Sequence, residues 1–296
     1  MVLQHIQKVG TLSPHEFQQK YYRTGTPIVL TDLAKDWPAY HKWNWDYFKQ
    51  IVGDKEVGIY NNIKSDPYTP INTADDYTSF GKYIDMIRMG PAAWRIFLFN
   101  IFSHAPQLAD DFIWPDHLMK GFVKRFPMLF VGGASSITHM HFDIDMSHIL
   151  HTQFAGRKRV LLFPFREQHK LYRKPYEVLS MADFSEYYKN TGNPDYDKFP
   201  ALKYAKGYEV ILEHGDTLFM PAGYWHHMEY LDSGFAMSLR AVQRNNIPGL
   251  VKGAWNLVGM RNIDTIMKKT APQWWFNYKK DKLYKAADKV LETVVV

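Results

Sequence analysis

The chain has 296 residues, with 36 Lys+Arg against 30 Asp+Glu for a net charge of +6, and it contains no cysteine. Disulfides, thiolate metal sites and a cysteine nucleophile are therefore excluded. At 46% hydrophobic and 16% aromatic it can bury a sizeable core and is not disordered as a whole. The opening MVLQHIQKVG lacks the apolar run of a signal peptide, and no stretch approaches the roughly 18 apolar residues of a membrane span. A soluble, cytoplasmic protein is the expectation.

No internal repeat, low-complexity run or Gly/Ser linker interrupts the chain, which favours one continuous domain with appendages. Ser13-Pro14-His15-Glu16 reads as a helix start: Ser caps, Pro fits the first helical position, and Glu16 is placed to return a hydrogen bond. A short strand at 27–30 follows, then an aromatic region with Trp37, Trp43, Trp45 and Tyr47. Residues 95–102 (RIFLFNIF) read as a buried strand. From about residue 128 short β segments succeed one another, at 128–131, 137–145, 158–163, 209–212, 217–220 and 235–241. Turn chemistry separates them at Gly132-Gly133, Ala155-Gly156, Gly192-Asn193-Pro194, His214-Gly215-Asp216 and Pro221-Ala222-Gly223. Many short strands with Gly/Pro turns predict a sandwich or barrel.

From about 247 the apolar period becomes helical, through Val251, Trp255 and Val258, then Ile263, Ile266 and Met267, then Leu283, Ala287, Val290, Leu291 and Val294. The expected organisation is a domain over 1–245, with a helical N-terminal layer and a β core, and a helical segment over 246–296. That last segment holds nine basic residues against four acidic ones, so most of the net charge lies on its polar faces. No nucleic-acid-binding module accompanies it, and neither nucleic acid nor membrane is expected as a partner.

His139, His141, Asp143 and Asp145 alternate, so on an extended strand all four point to one face. Two imidazoles and two carboxylates side by side call for a metal or for solvent. Further on, a strand ends at Pro221-Ala222-Gly223 and delivers His226-His227 among aromatics. Adjacent residues on an extended chain face opposite ways, so only one of that pair can join the first group. The parts propose a facial triad of His141, Asp143 and either His226 or His227, which leaves open positions on an octahedral Fe(II) for a bidentate cosubstrate and dioxygen. A chelating 2-oxo acid with a distal carboxylate needs a cation on a neighbouring strand, and Lys158 opens the next β segment. Standing within Arg157-Lys158-Arg159, it can equally be a solvated charge.

In their order these motifs resemble the JmjC, cupin-type 2-oxoglutarate oxygenases. The resemblance rests on Thr138-x-x-His141-x-Asp143, on GRKRVLLFP from Gly156 to Pro164, and on Gly215-Asp216, Pro221 and Trp225-His226-His227. NPDYDKFP from Asn193 to Pro200, Gly207-Tyr208-Glu209 and Met260-Arg261-Asn262-Ile263 agree with it. Within the family these stretches point toward the asparaginyl hydroxylase that inhibits hypoxia-inducible factor. The similarity runs from about residue 11 to about 285.

The resemblance implies a mainly β fold, a double-stranded β-helix (cupin, jelly roll) with N-terminal α/β elements and C-terminal helices. It implies an Fe(II)- and 2-oxoglutarate-dependent dioxygenase that uses dioxygen, with His141, Asp143 and His226 as iron ligands. Lys158 then pairs with the 5-carboxylate of 2-oxoglutarate, assisted by Thr138, and the C-terminal helices form a homodimer. A protein or peptide side chain is the implied substrate, and the lack of cysteine-type zinc fingers favours hydroxylation over chromatin demethylation. Tyr224 and Trp225 flank the metal ligands, either as substrate contacts or as core aromatics. Three departures alter the cosubstrate cradle. The stretch between Asp143 and Gly156 is two residues longer than in the asparaginyl hydroxylase, so Ser147, His148 or His151 stands in for a hydrogen-bonding Asn. Phe97 falls where a Tyr is expected, and Arg240 where many relatives carry Asn. Arg240 offers either a second cation for the cosubstrate or a structural ion pair. The competing readings are an oxygenase acting on a small molecule and an inactive metal-binding cupin serving as a binding module.

Overall fold

The structure, a computed structural model, describes residues 1–63, 73–184, 194–242 and 247–294. The N-terminal layer begins with β1 (Val2–His5) and β2 (Lys8–Val9), then α1 (Pro14–Phe17), prolonged by a π-helical turn over Gln18–Tyr22. It continues through β3 (Ile28–Leu30), α2 (Pro38–Lys42), α3 (Trp45–Val52), β4 (Glu56–Tyr60), β5 (Asp76–Ser79), α4 (Phe80–Arg88), β6 (Arg95–Phe99) and α5 (Ile101–His104). The eight central strands are β7 (Met128–Gly132), β8 (Ile137–Phe142), β9 (His148–Ala155), β10 (Lys158–Phe163), β11 (Lys206–Leu212), β12 (Thr217–Met220), β13 (Trp225–Tyr230) and β14 (Gly234–Ala241). The chain closes with α6 (Ile247–Ala254), a π-helical turn at Trp255–Met260, α7 (Arg261–Thr270) and α8 (Pro272–Val294).

Among the described residues the strands form two sheets, in the orders β1-β11-β10-β13-β8 and β2-β3-β12-β9-β14-β7-β6-β4-β5. Strands β7 to β10 alternate between the sheets, and so do β11 to β14. Two such interleaved runs make a double-stranded β-helix, a jelly roll. Between the sheets lies a cluster that includes Val29, Ile149, Val160, Leu162, Leu218 and Met228. The outer face of the large sheet is sealed by the N-terminal layer through Phe17, Phe48, Phe154, Phe219 and Phe235. The outer face of the small sheet is covered by residues around Leu171, Phe184 and Leu202 and by Leu283 and Ala287 of α8. The C-terminal helices thus share a core with the jelly roll; the boundary at 245/246 itself falls outside the described residues, as do Gly192 and Asn193.

Local chemistry places the ends. Ser13 accepts a hydrogen bond from the Glu16 amide at 3.1 Å, with Pro14 in the first turn. The Glu16 carboxylate pairs with Lys20 at 2.7 Å instead of returning to Ser13. Gly156 turns β9 into β10 with φ +68°, and a Cβ there would lie 2.5 Å from the Ser233 carbonyl oxygen. The segment read as one strand over 95–102 stops at Phe99, and α5 begins at Ile101.

Candidate metal centre

Register decides which side chains meet inside the jelly roll. Directly opposed residues of neighbouring strands share a face. On β10 and β13 the pairs are Lys158 with Tyr230, Val160 with Met228 and Leu162 with His226. Across β13, His226 opposes His141, but Met228 opposes Thr138, so β8 carries one extra residue between them. This bulge resets the alternation. Lys158, His226, His141 and Thr138 therefore share the inner face, although three positions separate Thr138 from His141. His227 opposes Leu161 on the outer face, fully buried with its ring 5.9 Å from Phe184.

The expectation that His139, His141, Asp143 and Asp145 line one face is corrected. The bulge diverts His139, whose Nε2 lies 2.9 Å from the Asn62 carbonyl. The strand ends at Phe142, which leaves Asp143 and Asp145 on the following loop. His141, Asp143 and His226 converge, with one ligand atom from each lying within 4.8 Å of the others. The His141 and His226 rings are 4.1 Å apart between centroids, and His141 Nε2 is 4.0 Å from Asp143 Oδ1.

Each histidine is oriented by the carbonyl two residues before it. His141 Nδ1 donates to His139 O at 2.8 Å and His226 Nδ1 donates to Tyr224 O at 3.2 Å. A carbonyl can only accept, so the proton sits on Nδ1 and each Nε2 keeps its lone pair for the cluster. Burial, then the neighbouring His226, pushes His141 down to about 3. Burial likewise lowers His226. For Asp143 burial acts upward, but the Arg240 guanidinium and the two imidazoles outweigh it and hold the carboxyl at about 2. At neutral pH the set is two neutral imidazoles and one carboxylate, the donor chemistry of a first-row divalent metal. Asp143 Oδ2 is buried without a hydrogen-bond partner, as a carboxylate oxygen reserved for a cation would be.

Lys158 is fully buried on the same inner face, so the reading of it as a solvated charge is excluded. Its Nζ donates to His151 Nε2 at 3.0 Å and lies 4.3 Å from the Tyr230 ring centroid. His151 in turn bonds Ser238 Oγ through Nδ1 at 2.7 Å. Among the described residues no carboxylate comes within ion-pair distance of Lys158. Burial alone brings it down to about 7, and burial followed by the Lys158 charge drives His151 well below its ordinary value. A buried lysine with only neutral partners is a built site for an anion.

Residues 14–245 match the cupin-like domain family. The chain belongs to that family. This cupin-like domain is similar to Lysine-specific demethylase JMJ30 of Arabidopsis thaliana, at 26% identity over 80% of this chain and 55% of the relative. It is similar to Jumonji C domain-containing protein 5 of Drosophila melanogaster, at 28% identity over 79% of this chain and 59% of the relative. It is also similar to HSPB1-associated protein 1 of Homo sapiens, at 27% identity over 76% of this chain and 49% of the relative. The chain spans about half the length of the curated relatives it matches.

The cupin-like domain also holds Arg240, Tyr224 and Trp225 in defined contacts. Arg240 is committed to carboxylates: Nη2 donates to Asp143 Oδ1 at 3.2 Å and Nη1 to Asp145 Oδ1 at 3.1 Å. This is the structural ion pair that the sequence left open. Trp225 is fully buried with its ring 4.9 Å from Phe142, as the core-aromatic alternative expects. Tyr224 is half-buried and donates to the Gly25 carbonyl at 2.7 Å. Of the three stand-ins for the Asn, only His151 reaches Lys158. Ser147 donates to Asp145 at 2.8 Å, and His148 accepts from the Ala222 amide while stacking on Phe219. Phe97 meets the Tyr60 ring edge-on at 5.9 Å. Sequence reasoning missed Ser238 and Tyr230; their spacing of two from Arg240 and from Met228 was the available signal.

Proposed function

We propose that the chain is an Fe(II)- and 2-oxoglutarate-dependent dioxygenase that oxidises a side chain of a protein or peptide. The observation that carries this reading is the convergence of two neutral imidazoles from the inner face with one carboxylate from the adjoining loop, and a buried lysine on that same face. His141, Asp143 and His226 would hold the metal, and Lys158 would take the distal carboxylate, with Thr138 beside it. When bound, iron and 2-oxoglutarate supply the activation of dioxygen, with succinate and carbon dioxide as products. The protein's share is orientation and exclusion of water. The bonds from His139 O and Tyr224 O aim the imidazoles, Arg240 restrains Asp143, and the bulge turns Thr138 inward. The His141 and Asp143 side chains remain 17% and 14% exposed, so solvent and substrate approach from their side.

Hydroxylation, as in the asparaginyl hydroxylase, is the favoured outcome. Two relatives compared, in Arabidopsis thaliana and Xenopus tropicalis, carry the name lysine-specific demethylase, which makes methyl removal the outcome to test beside it. The exposed apolar side chains of the C-terminal helices support a homodimer. The test is succinate release from metal-loaded protein supplied with cell extract divided by size, followed by a proteome-wide search for side chains that gain one oxygen atom or lose a methyl group. Release with the large fraction alone supports the reading. Release with only the small fraction shifts it to a small-molecule oxygenase, and no release with either supports the binding module.

A further inference from the structure

Two of the three metal donors, His141 and Asp143, sit on the edge strand β8 and the loop after it, a frame that needs support to hold a fixed geometry. The C-terminal helices supply that support at two points. Asn256, 2% exposed in the π-helical turn, donates from Nδ2 to the Ile144 carbonyl at 3.2 Å. Ile144 lies between Asp143 and Asp145, so this bond fixes the loop at the carboxylate donor. Gly253 packs on the same loop so closely that a Cβ would lie 2.9 Å from the Asp145 carbonyl oxygen.

The second point is beside His141. Phe142 N donates to Val178 O at 3.2 Å and Ser180 N donates to Met140 O at 3.0 Å, so residues 178–180 pair along the free edge of β8 and bracket the ligand. Glu177, immediately before this strip, is buried and ion-paired with Lys279 of α8 and, at 3.6 Å, with Lys268 of α7. Both lysines also pair with Asp264, at 2.7 and 2.8 Å. One ion cluster thus ties α7 and α8 to the strip that flanks His141.

We infer that Asn256 and the Glu177 cluster are positioning groups through which the C-terminal helices clamp β8 and its loop, keeping His141 and Asp143 within reach of His226. This rests on the metal reading proposed above. The clamp is neutral at Asn256, so removing it changes geometry without changing the charge at the donors.

Cobalt(II) titrated into the purified full chain tests it, read as affinity and as the visible ligand-field spectrum. Asn256→Ala weakens cobalt binding about tenfold or more and alters the spectrum, the usual cost of losing an outer partner of a ligand, and Asn256→Gln recovers part of both. Glu177→Gln, an independent handle should Asn256→Ala fold poorly, weakens binding as well. Val52→Ala, in the N-terminal core, lowers the thermal midpoint and leaves cobalt affinity unchanged. Wild-type affinity and spectrum in both Asn256→Ala and Glu177→Gln would overturn the inference, as would an equal loss in Val52→Ala. Failure of the wild-type chain itself to bind cobalt would overturn the metal reading, and the inference with it.

Discussion

Lys158 is the residue whose environment is hardest to explain by stability. A fully buried ammonium with a histidine, an aromatic ring and no counter-charge raises the free energy of the folded state. Its value of about 7 lies below the ordinary lysine value, so the penalty is fully present below pH 7 and fades as pH rises toward the unfolded value. Lys158→Met is therefore expected to stabilise the empty protein by about 1–4 kcal/mol near pH 6, with a smaller gain at pH 9, in urea unfolding. The same substitution should weaken 2-oxoglutarate binding by about thirtyfold or more, since losing one partner of a buried charged pair costs about 2–5 kcal/mol. A carboxylate needs the ammonium form, so binding to the wild-type chain takes up a proton above pH 7. Its affinity should fall about tenfold per pH unit there, and a flat profile between pH 7 and 9 would remove Lys158 from the anion site. Residue type and spacing pointed to His141, Asp143 and one of His226 or His227, and left Lys158 open to a solvated reading; the family resemblance implied His226 and the role of Lys158. The sequence did not show Arg240 spent on Asp143 and Asp145, because that pairing joins residues 97 and 95 positions apart.

At the scale of elements, β9 and the β8 bulge were the least legible. Strand β9 is buried on both faces except at its last residue, so it lacks the alternation that marks a half-exposed strand. The bulge leaves no trace in residue type, yet it moves Thr138 onto the ligand face and His139 off it. By contrast, β10 and β12 were read to their final residues, because short apolar runs bounded by Gly and Pro turns define them. Trp225 shows how an element overrides a motif. Adjacent to His226 in sequence, it points to the opposite face and fills the core over the small sheet. Trp225→Ala should cost about 3–5 kcal/mol in denaturant unfolding, as expected for a large cavity. A loss under about 1 kcal/mol would return Trp225 to the surface and to a part in substrate contact.

At the scale of the molecule, the C-terminal helices have two faces. Leu283 and Ala287 pack into the jelly roll's outer cluster, while Val251, Trp255, Val258, Ile266 and Trp274 stand exposed at 55 to 64%. Exposed apolar side chains in this number suit an interaction surface, and self-association is the reading proposed for them. Trp255→Glu should convert the species seen by light scattering from dimer to monomer; an unchanged mass would assign these side chains to another partner. The helical period announced these elements, but only the packed structure separates the buried side from the exposed one.

The claim on which the rest depends is that His141, Asp143 and His226 hold a divalent metal that presents 2-oxoglutarate to Lys158. Calorimetric titration of 2-oxoglutarate into the manganese-loaded chain under anaerobic conditions tests it most directly. The account predicts stoichiometric binding by the wild-type chain, none in His226→Ala, and binding that disappears when the metal is removed by chelation. Equal affinity in wild type and His226→Ala, or binding indifferent to the metal, would contradict it.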